Sequence, residues 1–101
     1  MIYKLYKERL RRNYQEIEQA FKQFQEIYKK FGVKVIGAWE NVDDPQEGYL
    51  ITAYRDNAHY EETVAKMRTD PKYTELTSEL QKVRESIDVT TLKVMPGSPV
   101  Q

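Results

Sequence analysis

The chain has no cysteine, a single histidine, a single tryptophan, four glycines and four prolines among its 101 residues. Without cysteine there is no disulfide framework, no thiolate nucleophile and no cysteine-ligated metal. One histidine leaves too few ligands for a protein-built zinc site, where three or four must converge. Net charge is also missing: 16 basic residues meet 16 acidic ones. No global field draws in nucleic acid or an anionic membrane. The basic run Lys4, Lys7, Arg9, Arg11 and Arg12 is interrupted by Glu8 and reads as a solvated strand end. No apolar run approaches the roughly 20 residues of a membrane span. The start, Met1-Ile2-Tyr3-Lys4-Leu5-Tyr6, has no long apolar stretch of the secretory kind. These absences fit a reducing, cytoplasmic setting. Phosphate-binding glycine loops, nucleophile elbows and HExxH pairs are absent too, and the acids form no evident catalytic pair.

What is present is tyrosine. Eight of the aromatic residues are Tyr, against three Phe and one Trp. Tyrosine buries a ring while keeping a hydroxyl that needs a partner, which suits half-wet interfaces and pockets. It also makes up for a short supply of aliphatic side chains.

The order of elements follows from periodicity. Ile2 to Leu10 alternates and carries Ile and Tyr, which predicts a strand. Asn13 followed by Glu16 predicts a capping box. Tyr14, Ile17, Phe21, Phe24, Tyr28 and Phe31 then recur at steps of three and four, one helical stripe widened by Ala20 and Ile27. Gly32 predicts its end. Val33 to Glu40 reads as a second strand and Tyr49 to Tyr54 as a third, joined by the turn-rich residues Asn41 to Gly48. Asp56 or Asn57 caps a helix through Tyr60, Val64 and Met67. Asp70-Pro71 ends it and opens another through Tyr73, Leu76, Leu80 and Val83, with Pro71 in the first turn. Ile87 to Met95 reads as the fourth strand.

That order predicts an α+β, ferredoxin-like βαββαβ fold: a four-stranded antiparallel sheet with helices on one face. Residues 1–96 form one domain and 97–101 a flexible C-terminal tail. Both sheet faces are apolar. In strand two Val33, Val35 and Trp39 oppose Ile36 and Ala38, and in strand three Tyr49, Ile51 and Ala53 oppose Leu50 and Tyr54. In strand four Ile87, Val89 and Met95 oppose Leu92 and Val94. A sheet with one wet face alternates more cleanly. The pattern predicts a homodimer in which a second copy covers the face away from the helices.

The segment Gly32-Val33-Lys34-Val35-Ile36-Gly37-Ala38-Trp39-Glu40 resembles the second-strand signature of NIPSNAP-like domains in the dimeric α+β-barrel superfamily. Ile2-Tyr3-Lys4-Leu5 is similar to their first strand, and Asp70-Pro71-Lys72-Tyr73 to their Asp-Pro-x-aromatic turn. The resemblance runs in order over nearly the whole chain and implies a homodimeric barrel. It departs from the family at Tyr6 and near Tyr60, where relatives often carry arginine. It implies little chemistry. The wider superfamily holds cofactor-independent monooxygenases, haem-degrading enzymes and small isomerases beside members that only bind, and fold alone does not choose among them.

The candidate site residues are few. His59 is a near-neutral base at the start of the second helix, or else a surface residue of its first turn. Trp39, Tyr54 and Tyr6 could wall a ligand pocket, or serve as core and interface packing. Arg55 could hold a ligand carboxylate, or stand as a surface charge. A pocket between helices and sheet brings Tyr54 nearest to His59. The first functional reading is a homodimer that binds a small apolar or aromatic molecule and needs no cofactor or metal. The second is a cofactor-independent monooxygenase or isomerase acting on a small aromatic substrate. Haem binding with His59 as axial ligand is a third.

Overall fold

In the computed structural model, residues 1–100 are described. The order is β1 (Ile2–Leu10), a short 3₁₀ turn (Tyr14–Ile17), α1 (Glu18–Lys30), β2 (Lys34–Asn41), β3 (Asp44–Tyr54), α2 (Asn57–Met67), α3 (Pro71–Val83) and β4 (Arg84–Leu92). The four strands form one sheet in the order β2-β3-β1-β4. All three pairings are antiparallel. This is the ferredoxin-like arrangement that the order of elements predicts.

The register of β1 assigns the faces. Ile2 stands opposite Tyr54, and Lys4 lies between Thr52 and Thr91. Tyr6 lies between Leu50 and Val89, and Glu8 between Gly48 and Ile87. These residues look toward the helices, while Tyr3, Leu5, Lys7 and Arg9 look away. Under the helices, Ile27, Val33, Tyr54, Met67 and Leu76 form the buried core, flanked by Phe24, Phe31 and Tyr60.

The β2 alternation differs from the expected one. The β2–β3 register shifts between Val35 and Gly37, so a bulge at Ile36 reverses the parity. Val35, opposite Thr52, and Ala38, opposite Leu50, take the helix face. Trp39, opposite Tyr49, takes the other, and Ile36 borders a hollow on that face with Tyr3 and Ile51. In β4 the register sets Ile87 and Val89 against Leu92, in line with the alternation read from the sequence. The strand spans Arg84–Leu92 rather than 87–95, because Leu10 at the far end of β1 pairs with Arg84.

Two local readings also change. The capping box does not form: the Asn13 side chain makes no cap bond, and the Glu16 amide donates to the Asn13 carbonyl at 2.9 Å. The first turn is 3₁₀ instead, with the Tyr14 ring packed over Gly48. The connection between β2 and β3 is a two-residue turn, Val42–Asp43, not a long loop. Pro45 fits within β3 because the register jumps from Asn41–Asp44 to Glu40–Gly48. No β2 partner stands opposite Pro45, so its missing N–H costs no ladder bond there.

Elsewhere local chemistry prevails. Gly32 has φ of 70° and ends α1 in the left-handed region. Asp56 accepts from the His59 amide at 2.8 Å and caps α2. Met95 to Val100 lie beyond β4, with the Ser98 amide donating to the Met95 carbonyl at 3.0 Å. The expected tail at 97–101 includes Gln101, which lies outside the described residues.

Asp70 caps α3 by accepting from the amides of Lys72 at 2.8 Å and Tyr73 at 3.4 Å, and Lys30 of α1 donates to it at 2.7 Å. The Lys30 ammonium first, and then the Lys72 amide, hold this carboxyl below the usual carboxylate range. A depressed folded value contributes stability above the unfolded value of about 3.9, lost as pH falls through the folded value. Asp70→Ala therefore lowers the urea midpoint at pH 7, and Asp70→Asn, which still caps, lowers it less. The gap between wild type and Asp70→Ala narrows as pH falls below about 4. A pH-independent gap would show that the charge contributes nothing.

Candidate functional site

The helices do not seal the sheet. Between the two layers lies a cavity of about 550 Å³, within the roughly 300–1,000 Å³ of ordinary ligand sites. Its apolar walls come from Phe21 and Phe24 of α1, Val64 of α2, Leu80 of α3 and Leu50 of β3. Tyr6 forms its floor from the centre of the sheet, and Tyr28, Tyr60 and Tyr73 contribute further rings. Phe24 and Tyr73 meet edge to face at 6.3 Å.

One end is polar. Glu8 and Arg84 form an ion pair, Nε to Oε1 at 2.7 Å, with side chains 16% and 22% exposed. The Tyr14 hydroxyl donates to the other Glu8 oxygen at 3.3 Å. Gly48, opposite Glu8, makes this possible, since a Cβ there would lie 2.5 Å from the Tyr14 ring. Burial first, and then the Glu8 carboxylate, raise the Tyr14 phenol well above its usual range. Burial and then the Tyr60 phenol do the same to Tyr6, and burial and then Tyr73 to Tyr28. These hydroxyls stay protonated at ordinary pH, and Tyr14 spends its proton on Glu8.

Of the residues singled out in the sequence, Tyr6 lines the cavity. Trp39 borders it along β2, but its register turns the side chain to the opposite face, where it is 53% exposed. Tyr54, Arg55 and His59 cluster instead at the entry to α2, outside the cavity wall. Tyr54 is buried in the core, its ring edge-on to His59 at 5.8 Å and to Tyr60 at 5.0 Å. His59 Nδ1 accepts from the exposed Arg55 amide at 3.0 Å. Among the described residues no group of three His, Asp or Glu is placed to hold a metal ion. No helix among them is long and apolar enough to cross a membrane.

Sequence reasoning misses Glu8, Tyr14, Gly48 and Arg84 as a site. The available signal is parity: Glu8 shares its face with Tyr6, and a carboxylate on a covered face needs a partner. The partner lies 76 residues away.

Sheet order, helix placement and interlayer cavity together define a ferredoxin-like α+β domain with a ligand-sized chamber. The chain belongs to the NIPSNAP family, whose pattern it matches over residues 2–99. An uncharacterised NIPSNAP-like domain protein from Burkholderia xenovorans is 20% identical, with TM-score 0.85 over 97% of this chain and 88% of that one. A NIPSNAP family protein from Agrobacterium tumefaciens is 18% identical, with TM-score 0.82 over 99% and 98%. SnoaB, a cofactor-independent oxygenase from Streptomyces nogalater, shares the fold at 10% identity and TM-score 0.75, over 97% of this chain and 96% of that one. No curated protein sequence matches the chain.

The close approach at Gly48 yields a test. Gly48→Ala must displace the Tyr14 ring, which is packed and tied to Glu8, so it costs about 1–3 kcal/mol in urea unfolding. At Gly37 an added Cβ would lie 2.8 Å from the far end of the exposed Trp39 ring. That ring can swing away, so Gly37→Ala costs less. Equal costs at both positions would remove Tyr14 from the packed wall.

Proposed function

We propose that this NIPSNAP protein acts as a cytoplasmic homodimer that binds a small apolar or aromatic molecule between its helices and its sheet. The observation that carries this reading is the 550 Å³ aromatic-walled cavity with one polar end. Apolar walls with a few convergent polar groups are the usual make-up of a small-molecule site. The dimer reading rests on the opposite sheet face, where Ile36 is 44%, Trp39 53% and Leu92 37% exposed. Apolar side chains gathered on one face suit a self-complementary two-fold contact. The absence of cysteine fits a reducing compartment.

A second reading, cofactor-independent oxygenation or isomerisation of an aromatic ligand, is favoured by one observation: a partly buried carboxylate, Glu8, stands in the cavity wall. It would serve as base there only once Tyr14 yields its carboxylate oxygen to a substrate, whereas His59 stands outside the wall.

Light scattering at micromolar concentration is expected to give about twice the chain mass of 12.0 kDa. Trp39→Glu should shift the mass toward one chain, and a wild-type monomer would end the barrel reading. Equilibrium dialysis should show saturable binding of naphthalene, abolished by Ala20→Trp, which fills the cavity from α1. Undiminished binding to that variant would place the ligand elsewhere. Oxygen uptake with 1,5-dihydroxynaphthalene tests the second reading, and Glu8→Gln and His59→Gln separate the two candidate bases.

A further inference from the structure

We infer that the cavity selects an uncharged aromatic ligand carrying a carbonyl oxygen, with the ring system against Phe21 and Phe24 and the oxygen on the terminal amino groups of Arg84. This rests on the ligand-binding reading above and adds the chemistry of the polar end. Arg84 engages Glu8 through Nε. Among the described residues its two terminal amino groups have no acceptor, and Arg84 lines the cavity. A guanidinium is donor only, so what it lacks is an acceptor. The Tyr14 phenol spends its one proton on Glu8, so the donors at this end left for a ligand are those of Arg84.

The charge balance excludes the obvious acceptor, a carboxylate. Glu8 already compensates Arg84 at 2.7 Å, so an anion placed on Arg84 would also face the Glu8 carboxylate. The remaining charged residues of the lining are Glu18, Glu40 and Arg68, all exposed, and they leave no cationic excess. A cationic ligand finds no open counter-charge inside. Both Glu8 oxygens are in use, one by Arg84 and one by Tyr14, and the other two acids stand in solvent. A neutral carbonyl satisfies the donors without meeting either difficulty. In this arrangement Glu8 is a positioning residue: it holds the guanidinium and sets the charge of the site.

Three probes of one ring system test this by equilibrium dialysis against the intact protein: naphthalene, 2-acetylnaphthalene and 2-naphthoate. Wild type should bind 2-acetylnaphthalene at least about tenfold more tightly than naphthalene, the scale of one hydrogen bond to a charged donor. It should bind 2-naphthoate more weakly than 2-acetylnaphthalene. In Arg84→Met the ratio of the two neutral probes should fall to about one. Glu8→Gln keeps an acceptor for Arg84 but removes the compensating charge, so 2-naphthoate should overtake 2-acetylnaphthalene there. This arm holds even where Arg84→Met fails to fold. Equal binding of naphthalene and 2-acetylnaphthalene to wild type overturns the inference while leaving the cavity a ligand site. So does 2-naphthoate as the tightest wild-type probe. Binding of none of the three overturns both readings.

Discussion

β1 lies between β3 and β4, so neither of its edges is free, and Ile2, Lys4, Tyr6 and Glu8 lie under the helix layer. Every other feature of the interior follows from that pairing. Ile2 joins the apolar core. Lys4, Tyr6 and Glu8 are polar or half-polar, and each is placed where a purely apolar sheet would carry Val or Leu. Burying them costs free energy unless each finds partners, and the partners therefore define the architecture above the sheet. Lys4 is almost fully buried, and its ammonium donates to Thr91 at 2.6 Å and Asn57 at 3.3 Å while lying 4.2 Å from the Tyr60 ring centre. Those contacts tie the first turn of α2 to the sheet. Glu8 does the same at the other end of β1, joining the start of β4 to the 3₁₀ turn through Arg84 and Tyr14.

The cavity is a consequence of these anchors being at the two ends. The apolar core gathers around Tyr54, Met67 and Leu76, near the Lys4 end. Toward Glu8 the cavity is lined instead by Tyr14 and Arg84, both long and polar-tipped. Between the two lies Tyr6, whose ring gives the chamber its floor. The edge strand β4 adds to the opening: Ile87 and Val89 face the helix side, yet stay 39% and 50% exposed. The helix layer is thus narrower than the sheet it covers.

Much of this is legible in the sequence, where the signals are local. The α1 stripe, Gly32, the Asp56 cap and the Asp70-Pro71 break each depend on neighbours within one turn, and each stands where the sequence puts it. The family resemblance shares Gly32 and the Asp70-Pro71 turn with these local signals. Features that depend on register are another matter. One extra residue at Ile36 is invisible in a run of β-branched and small residues, yet it exchanges the faces of Ala38 and Trp39 relative to Val35. The capping box at Asn13 and Glu16 is locally sound, but the Tyr14 ring over Gly48 draws the first turn into 3₁₀ form. For the site, Tyr6 can be chosen from its strand position, whereas Glu8 in isolation reads as a break in a basic run. Its meaning depends on Arg84, and no spacing rule connects residues so far apart in the chain.

Gly48 shows how tightly the polar end is determined. It stands directly opposite Glu8, on the covered face of β3. Any side chain there would project into the space between Glu8 and the helices, and even a Cβ would come within 2.8 Å of the Tyr14 hydroxyl oxygen. Tyr14 would then lose Glu8, and one carboxylate oxygen would be left to water or to a ligand. With glycine, both oxygens are taken by protein donors. The carboxylate is thereby fixed and its charge balanced, while the guanidinium it holds keeps donors to spare. A position without a side chain thus decides that the cavity offers hydrogen-bond donors at its polar end.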